Sequence, residues 1–420
     1  MDEEPKVQFV QQKAVNSVES FVYPEYQPVM QAVRGITYDF NCGARIYVPD
    51  NGYKTHMLLY DMDSRNVLFD SLMQPGSCIN CSKKFYIRYR IELYDEEKKE
   101  LLWSHDFSMK DRDVLVQLPY KGAIGDSIAW FSFLDRFQRQ HGCRLSVLAP
   151  KFITDLFMGQ YPNINFRTPE GVVGFKPYAT YYIGLFFKGD TDWQPYDFRL
   201  VSLAETAGRI LGIDDLSEIP PKLKIGDSPI KEPYVCIATQ ASGHAKHWCN
   251  PTGWKMVIEV LKKSGYRVLC IDKEQEVGSG DVWHYMPAGA EDFTGEHPLQ
   301  ERADMIAHAK CFIGLSSGLS WLAWCTGTPV VLISGICMPF GEFQTPYRVQ
   351  TRHTCHGCWN DTRCEFDHHD FMWCPMHKGD ARAYECTKSI KPSMVLDAIS
   401  RVPGMKLVRE GIRHTDGGSV

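Results

Sequence analysis

The sequence predicts an α/β protein in which two domains of repeated strand–helix units, each built on a parallel sheet, face one another across a cleft after a β-rich amino-terminal segment. Three observations carry this expectation. From Val114 onward, short apolar runs alternate with amphipathic ones. The strand-like runs are almost wholly apolar, as strands covered on both faces of a parallel sheet must be. A proline-rich stretch, "EIPPKLKIGDSPIKEP", interrupts the alternation midway and marks a domain boundary. At 420 residues the chain can bury two or three separate cores.

Up to about Asp113 the text is rich in tyrosine and β-branched residues with turn punctuation, and alternation at Phe85, Ile87, Tyr89 and Ile91 predicts half-buried antiparallel strands. Residues 1–113 are therefore expected to form a β-rich domain. Its "CINC" pair, Cys78 and Cys81, has no second pair nearby and reads as a turn with two incidental thiols. "DVLVQL" then predicts a strand, the glycine turn after it a helix with Trp130, Leu134 and Phe137 on one face, and "RLSVLAP" the next strand. "SLAETAGRILGI" is a helix ending near Gly212, so 114–225 forms the first strand–helix domain. After the prolines, "YVCIATQ", "YRVLCID", "CFIGL" and "PVVLIS" are strands alternating with the helices "GWKMVIEVLKKSG", "LQERADMIAHAK" and "GLSWLAWCTG". These make up a second such domain over 226–402, with a cysteine-rich finger at 353–388 and a tail at 403–420.

Composition excludes several classes. The formal net charge is −5 with no lysine- or arginine-rich block, so neither nucleic acid nor an anionic membrane surface is an expected partner. "MDEEPKVQFVQQ" lacks the basic-then-apolar order of a secretory leader, and a cytoplasmic location is expected. The longest apolar run, from Trp321, is broken by Gly327, Thr328 and Pro329 and predicts a helix and a strand, not a membrane span. The fifteen cysteines are odd in number, and Cys236, Cys270 and Cys311 sit singly in apolar strands as small buried hydrophobes.

Four segments bear chemistry. "YKGAIGDSIAW" has glycines at a strand-to-helix turn, but Lys121 precedes them and a carboxylate, Asp126, stands where a phosphate site would want neutral or positive groups. "FIGLSSGLSW" puts Ser316, Ser317, Gly318 and Leu319 at a helix start, where free N–H groups suit a diphosphate; an ordinary serine cap is the competing reading. "TQASGHAKHW" offers Gln240, Ser242, His244 and Lys246 on a loop of the same half. The finger carries Cys355, Cys358, Cys364, Cys374 and Cys386, five thiols for a four-ligand site, with His356, His368, His369 and His377 as possible substitutes. With little apolar sequence to order it, the segment calls for a metal; zinc is the usual choice for a closed site, and tetrahedral sulfur also suits iron.

Together, "KGAIGD", "ATQASGHAKHW", "GLSSGLSWLAWCTGTPVVLISG" and the cysteine finger resemble the bacterial autotransporter heptosyltransferases, which are related to the lipopolysaccharide heptosyltransferases, over about Val114 to Ile399. The resemblance implies a GT-B fold of two Rossmann-like domains, the first catalytic and the second binding the nucleotide sugar. It implies ADP-heptose as donor, inverting O-linked transfer onto serine or threonine of an autotransporter adhesin in the cytoplasm, and a homo-oligomer such as a dodecamer. It assigns Asp126 as general base and Lys246, Gln240, Ser242, Ser316, Ser317, Gly318 and Leu319 to the donor, with Lys246 also steadying the departing ADP. It supports Cys355, Cys358, Cys374 and Cys386 as ligands of one structural iron, zinc being the alternative. Where the lipopolysaccharide enzymes carry Asp-Thr-Gly-Leu before a histidine, this chain has Ser316, Ser317, Gly318, Leu319 and then Trp321. Asp272, at a strand end, is a candidate for the adenine or ribose. Competing readings are an iron protein for electron transfer or redox sensing and a non-catalytic ADP-sugar-binding adaptor. A nicotinamide oxidoreductase lacks its G-x-G-x-x-G turn here.

Overall fold

Alternating apolar and polar residues build the first strands: β1 (Met30–Gln31), β2 (Thr37–Asn41), β3 (Arg45–Tyr47), β4 (Thr55–Asp61), β5 (Val67–Met73), β6 (Cys78–Asn80), β7 (Tyr89–Tyr94) and β8 (Leu101–Asp106). The computed structural model describes residues 21–22, 27–96, 100–187, 191–367 and 369–408; the acidic amino-terminal stretch, His368 and the 409–420 part of the tail lie outside them. In β7 the residues Tyr89, Ile91 and Leu93 are buried and their neighbours half-buried, as a one-sided antiparallel sheet requires. Phe85 and Ile87 precede the strand and pack against the core from a loop. The antiparallel sheet runs β5-β4-β7-β8.

The first strand–helix lobe contains β9 (Asp113–Gln117), α1 (Ile124–Phe131), α2 (Leu134–His141), β10 (Arg144–Leu148), α3 (Lys151–Phe157), β11 (Ile164–Arg167), α4 (Pro169–Val172), β12 (Ala179–Tyr182) and α5 (Leu203–Ile210). The single helix expected after the glycine turn is two, because the Ser132 hydroxyl donates to the Ala129 carbonyl (2.6 Å) and the chain turns there. The sheet order is β11-β10-β9-β12-β2-β3-β6, with β1 paired to β2. Strand β2 lies parallel to β12, with Phe40 opposite Ala179, and covers what would otherwise be an open sheet edge. The boundary drawn at 113/114 thus runs through one continuous sheet.

The second lobe contains β13 (Tyr234–Ile237), α6 (Gly253–Lys263), β14 (Arg267–Cys270), the hairpin β15 (Glu276–Ser279) and β16 (Val282–Tyr285), β17 (Glu291–Asp292), α7 (Leu299–Ala307), β18 (Phe312–Leu315), α8 (Gly318–Thr326), β19 (Val330–Ile333), β20 (Arg348–Val349), α9 (Glu385–Lys388) and α10 (Pro392–Ser400). Its parallel sheet is ordered β17-β14-β13-β18-β19-β20, and every residue of β13, β18 and β19 is buried. The strand order reverses at β13/β18 in the second sheet and at β9/β12 among the strand–helix units of the first. Loops leaving the carboxyl ends of strands at such a reversal frame a crevice. Among the described residues no helix is long and apolar enough to cross a membrane.

Candidate functional site

The two crevices meet. Helix α1 starts just beyond β9 and helix α8 just beyond β18, and their first turns touch through glycines: a Cβ on Gly125 would lie 3.3 Å from the Gly318 Cα and 2.9 Å from Trp321 Cδ1. A Cβ on Gly318 would lie 2.9 Å from Ile124 Cβ. Only two residues without side chains let the helix starts approach this closely, and both first turns line one space. That space is a cleft of about 430 Å³. It brings together Asp126 from the first lobe and Gln240, Ser242, Lys246, Ser316, Ser317, Gly318 and Leu319 from the second.

Asp126 sits in the first turn of α1 but does not cap it; Ala123 holds the cap position. Among the described residues its carboxylate takes no hydrogen bond. Although its side chain reaches the cleft, dense surrounding protein pushes its proton affinity above the usual aspartate range, and the charge of Lys246 opposes that rise. Lys246 ends the single 3-10 turn His244–Lys246 and donates to Ser242 Oγ at 3.3 Å.

The serine-cap reading of the α8 start does not hold: the Ser317 side chain makes no capping bond, and its buried Oγ has no partner among the described residues. Ser316 Oγ donates to Ser334 Oγ (2.9 Å), which donates to Glu342 (3.0 Å), itself paired with Arg348 at 2.7 Å. This buried chain fixes the loop ahead of α8. Gln240 spends its amide on the Glu274 carbonyl at 2.8 Å. Asp272 is buried and accepts from the Thr239 N–H (2.7 Å), the Thr239 hydroxyl (3.0 Å) and the Gln240 N–H (3.3 Å), so its carboxylate holds the loop after β13. Trp321 also lines the cleft, as do Glu342, Cys337 and Trp359, which were not singled out in the sequence. Glu342 follows a parallel strand as the other cleft loops do, which was the available signal.

The finger is better ordered than its composition suggests. Trp373, Tyr384 and Cys364 are buried in a small cluster with Phe366, Met372 and Trp359 around them. Arg199, from the first lobe and buried, donates to the carbonyls of Trp359 (2.9 Å), Asp361 (2.5 Å) and Cys364 (2.7 Å), and Asn360 returns a bond to the Arg199 carbonyl at 2.7 Å. Burial and then neighbouring thiols raise the proton affinities of Cys358 and Cys386, the latter to about 12, while Cys355 is raised by burial and lowered by its hydrogen bond with Cys358. Thiols gathered in this way suit a thiolate-liking metal, but among the described residues the four cysteines do not all stand within the 4.8 Å that ligands of one ion share. Cys364 also feels Cys355, but its Sγ faces Met376 Sδ at 4.0 Å. Cys249, outside the finger, neighbours Cys386. His377 lies with Cys355 and Glu385, their ligand atoms within 4.8 Å of one another, while His356 bonds the Thr354 carbonyl. A larger cavity of about 920 Å³, lined by Phe186, Phe198, Arg199 and Phe366, holds none of the catalytic or donor-binding candidates.

Comparison with known proteins adds the following. Residues 33–97 match the family described as glycosyltransferase TibC, N-terminal domain, and residues 212–365 match glycosyltransferase family 9 (heptosyltransferase). The chain is 48% identical over 392 residues to the autotransporter heptosyltransferase BAHTCr of Citrobacter rodentium, covering 93% of this chain and 94% of that one. It is 47% identical to the autotransporter heptosyltransferase TibC of Escherichia coli O78:H11, covering 94% and 96%. The crystal structure of TibC, described as an iron-containing dodecameric glycosyltransferase, superposes with a TM-score of 0.86 over 91% of this chain and 99% of that one, and a second TibC structure holds ADP-D-beta-D-heptose. BimC of Burkholderia thailandensis, 35% identical over 92% of this chain and 90% of its own, is described as an inactive autotransporter heptosyltransferase.

Proposed function

The chain belongs to the autotransporter heptosyltransferases, and from that premise we propose that it transfers heptose from ADP-heptose to serine or threonine hydroxyls of an autotransporter passenger domain, in the cytoplasm and with inversion at the anomeric carbon. The observation that carries the reading is that Asp126 and Lys246, borne by different lobes, line one cleft beside two helix starts. Asp126 takes the proton of the acceptor hydroxyl as its oxygen bonds the anomeric carbon and the bond from that carbon to the diphosphate oxygen breaks. A carboxylate whose proton affinity is raised by burial is suited to that task near neutral pH. The charge left on ADP meets the Lys246 ammonium and the free N–H groups at Gly318 and Leu319, so the second lobe stabilises the leaving group. Gln240 and Ser242 shape the loop that carries Lys246.

The division of labour follows the chain: residues 114–225 supply the base, 226–402 hold the nucleotide sugar. The finger holds a structural iron through Cys355, Cys358, Cys374 and Cys386, with zinc the alternative, and the subunits assemble as a dodecamer as those of TibC do. A closed thiolate shell orders protein and takes no part in transfer. Because a related chain is described as inactive, transfer is measured directly. Incubation with ADP-heptose and a passenger fragment is expected to add heptose mass at serine or threonine. Asp126→Asn should slow the addition about a hundred- to ten-thousand-fold while ADP still binds, and Lys246→Ala should lower turnover sharply. Bound ADP-heptose with no transfer by the unaltered chain would leave only an adaptor.

A further inference from the structure

Three imidazoles meet behind Lys246, and the transfer step does not use them. His284 Nε2 lies 2.7 Å from His244 Nδ1, and the His284 ring stacks on that of His247 with centroids 3.7 Å and planes 11° apart. His247 is buried and braces its own loop: its Nδ1 faces the Gly243 carbonyl at 3.1 Å, and its Nε2 accepts the Ala241 N–H at 3.3 Å. Lys246 stands between these two loop histidines. On the hairpin, Val277 is directly opposite His284. Cross-strand partners share a face, and this one puts Val277 on the cleft wall and His284 against the loop. The outer residues, Trp283 and Tyr285, are exposed, and Gly278 is needed where a Cβ would come within 2.8 Å of the Trp283 Cα.

The three rings have nitrogens within 4.8 Å of one another, a spacing that also invites a shared cation. Two features favour a mechanical role instead. Both His247 nitrogens are occupied by backbone groups, and a face-to-face stack sets rings side by side, whereas metal ligands radiate from a centre. Burial keeps the set neutral, lowering His244 to about 4 and His247 to about 3, so one N–H is shared across the pair at neutral pH.

We propose that His284 is a positioning residue for Lys246: by seating on His244 and His247 it locks the β15–β16 hairpin to the 240–247 loop and holds the ammonium at the donor's diphosphate. The inference rests on the reading of Lys246 given above. It is tested by a double-mutant cycle on the full-length protein, measuring ADP affinity by calorimetry for the unaltered chain, His284→Ala, Lys246→Ala and the double variant. ADP release from ADP-heptose with a passenger fragment is the second readout. His284→Ala is expected to weaken ADP about five-fold, and to change it by less than about two-fold once Lys246 is already alanine. His284→Gln, which keeps a hydrogen-bonding group facing His244, should recover most of the loss. Equal weakening in both backgrounds overturns the proposal, as does an affinity unmoved by His284→Ala. If His284→Ala does not fold, His284→Phe, which keeps the stack without the hydrogen bond, carries the same cycle. Should Lys246→Ala itself leave affinity and turnover intact, the diphosphate role of Lys246 fails and this inference with it. If Lys246→Ala is impaired while His284→Ala is not, the hairpin lock alone is wrong.

Discussion

At the scale of single residues, Asp126, the proposed base, lines the cleft with no hydrogen bond to its carboxylate among the described residues. Its raised proton affinity has two measurable consequences. The folded chain holds that proton more tightly than the unfolded chain, so the group's contribution to stability is present at low pH and lost as pH rises through the folded value. Near neutrality the buried charge opposes folding, and Asp126→Asn is expected to unfold at an equal or higher temperature by calorimetry while slowing transfer about a hundred- to ten-thousand-fold. Lys246 pulls the same proton affinity down. Lys246→Ala should therefore move the acid limb of the kcat/KM profile to higher pH, and an unmoved limb would show the two charges do not communicate. The turn that puts Asp126 at the cleft was legible in the sequence, because a carboxylate among its glycines contradicts phosphate binding; the role proposed for it came from the family resemblance. The bonds that tie Asp272, also on the cleft wall, to Thr239 and Gln240 were not legible, since those three donors reach it only once the loop is folded.

At the scale of elements, the glycines of α1 and α8 and the arginine under the finger decide what moves. A side chain at Gly318 has no room: Gly318→Val would force α1 and α8 apart, with an expected loss of about 1–3 kcal/mol in denaturant unfolding and a larger fall in transfer than in ADP binding. Arg199→Ala would strand the carbonyls of Trp359 and Cys364 and leave that of Asp361 only the Cys364 N–H, and is expected to destabilise by about 2–4 kcal/mol and reduce bound metal. Metal analysis beside thermal unfolding checks both effects. The strands and helices of the second lobe were readable because β13, β18 and β19 are apolar at every position. The break between α1 and α2 was not, as it depends on one hydroxyl reaching back to the Ala129 carbonyl. Nor was the finger's own core, whose aromatics Trp359, Phe366, Trp373 and Tyr384 are scattered among polar residues and gather only in three dimensions.

At the scale of the whole molecule, the two-lobed arrangement followed from the alternation and the prolines, but the merging of the amino-terminal strands into the first sheet did not. The pairing of Phe40 with Ala179 joins distant parts of the chain, and no periodicity announces such a partner. The finger also belongs to this scale, because Arg199 ties it to the first lobe while Trp359 reaches the cleft. Removing the metal by chelation, or replacing Cys355 with serine, is expected to dissociate the assembly and lower activity together; sizing by light scattering with a transfer assay reads both. Intact assembly after complete metal loss would separate the finger from oligomerisation. The meeting of Gly125 with Gly318 bears on product release. Any swing of one lobe that preserves this touch has its fulcrum a few residues from the reacting groups. The rim of the gap then travels far while its apex barely stirs, and spent nucleotide can leave from the wide side with the base still aligned for the next hydroxyl.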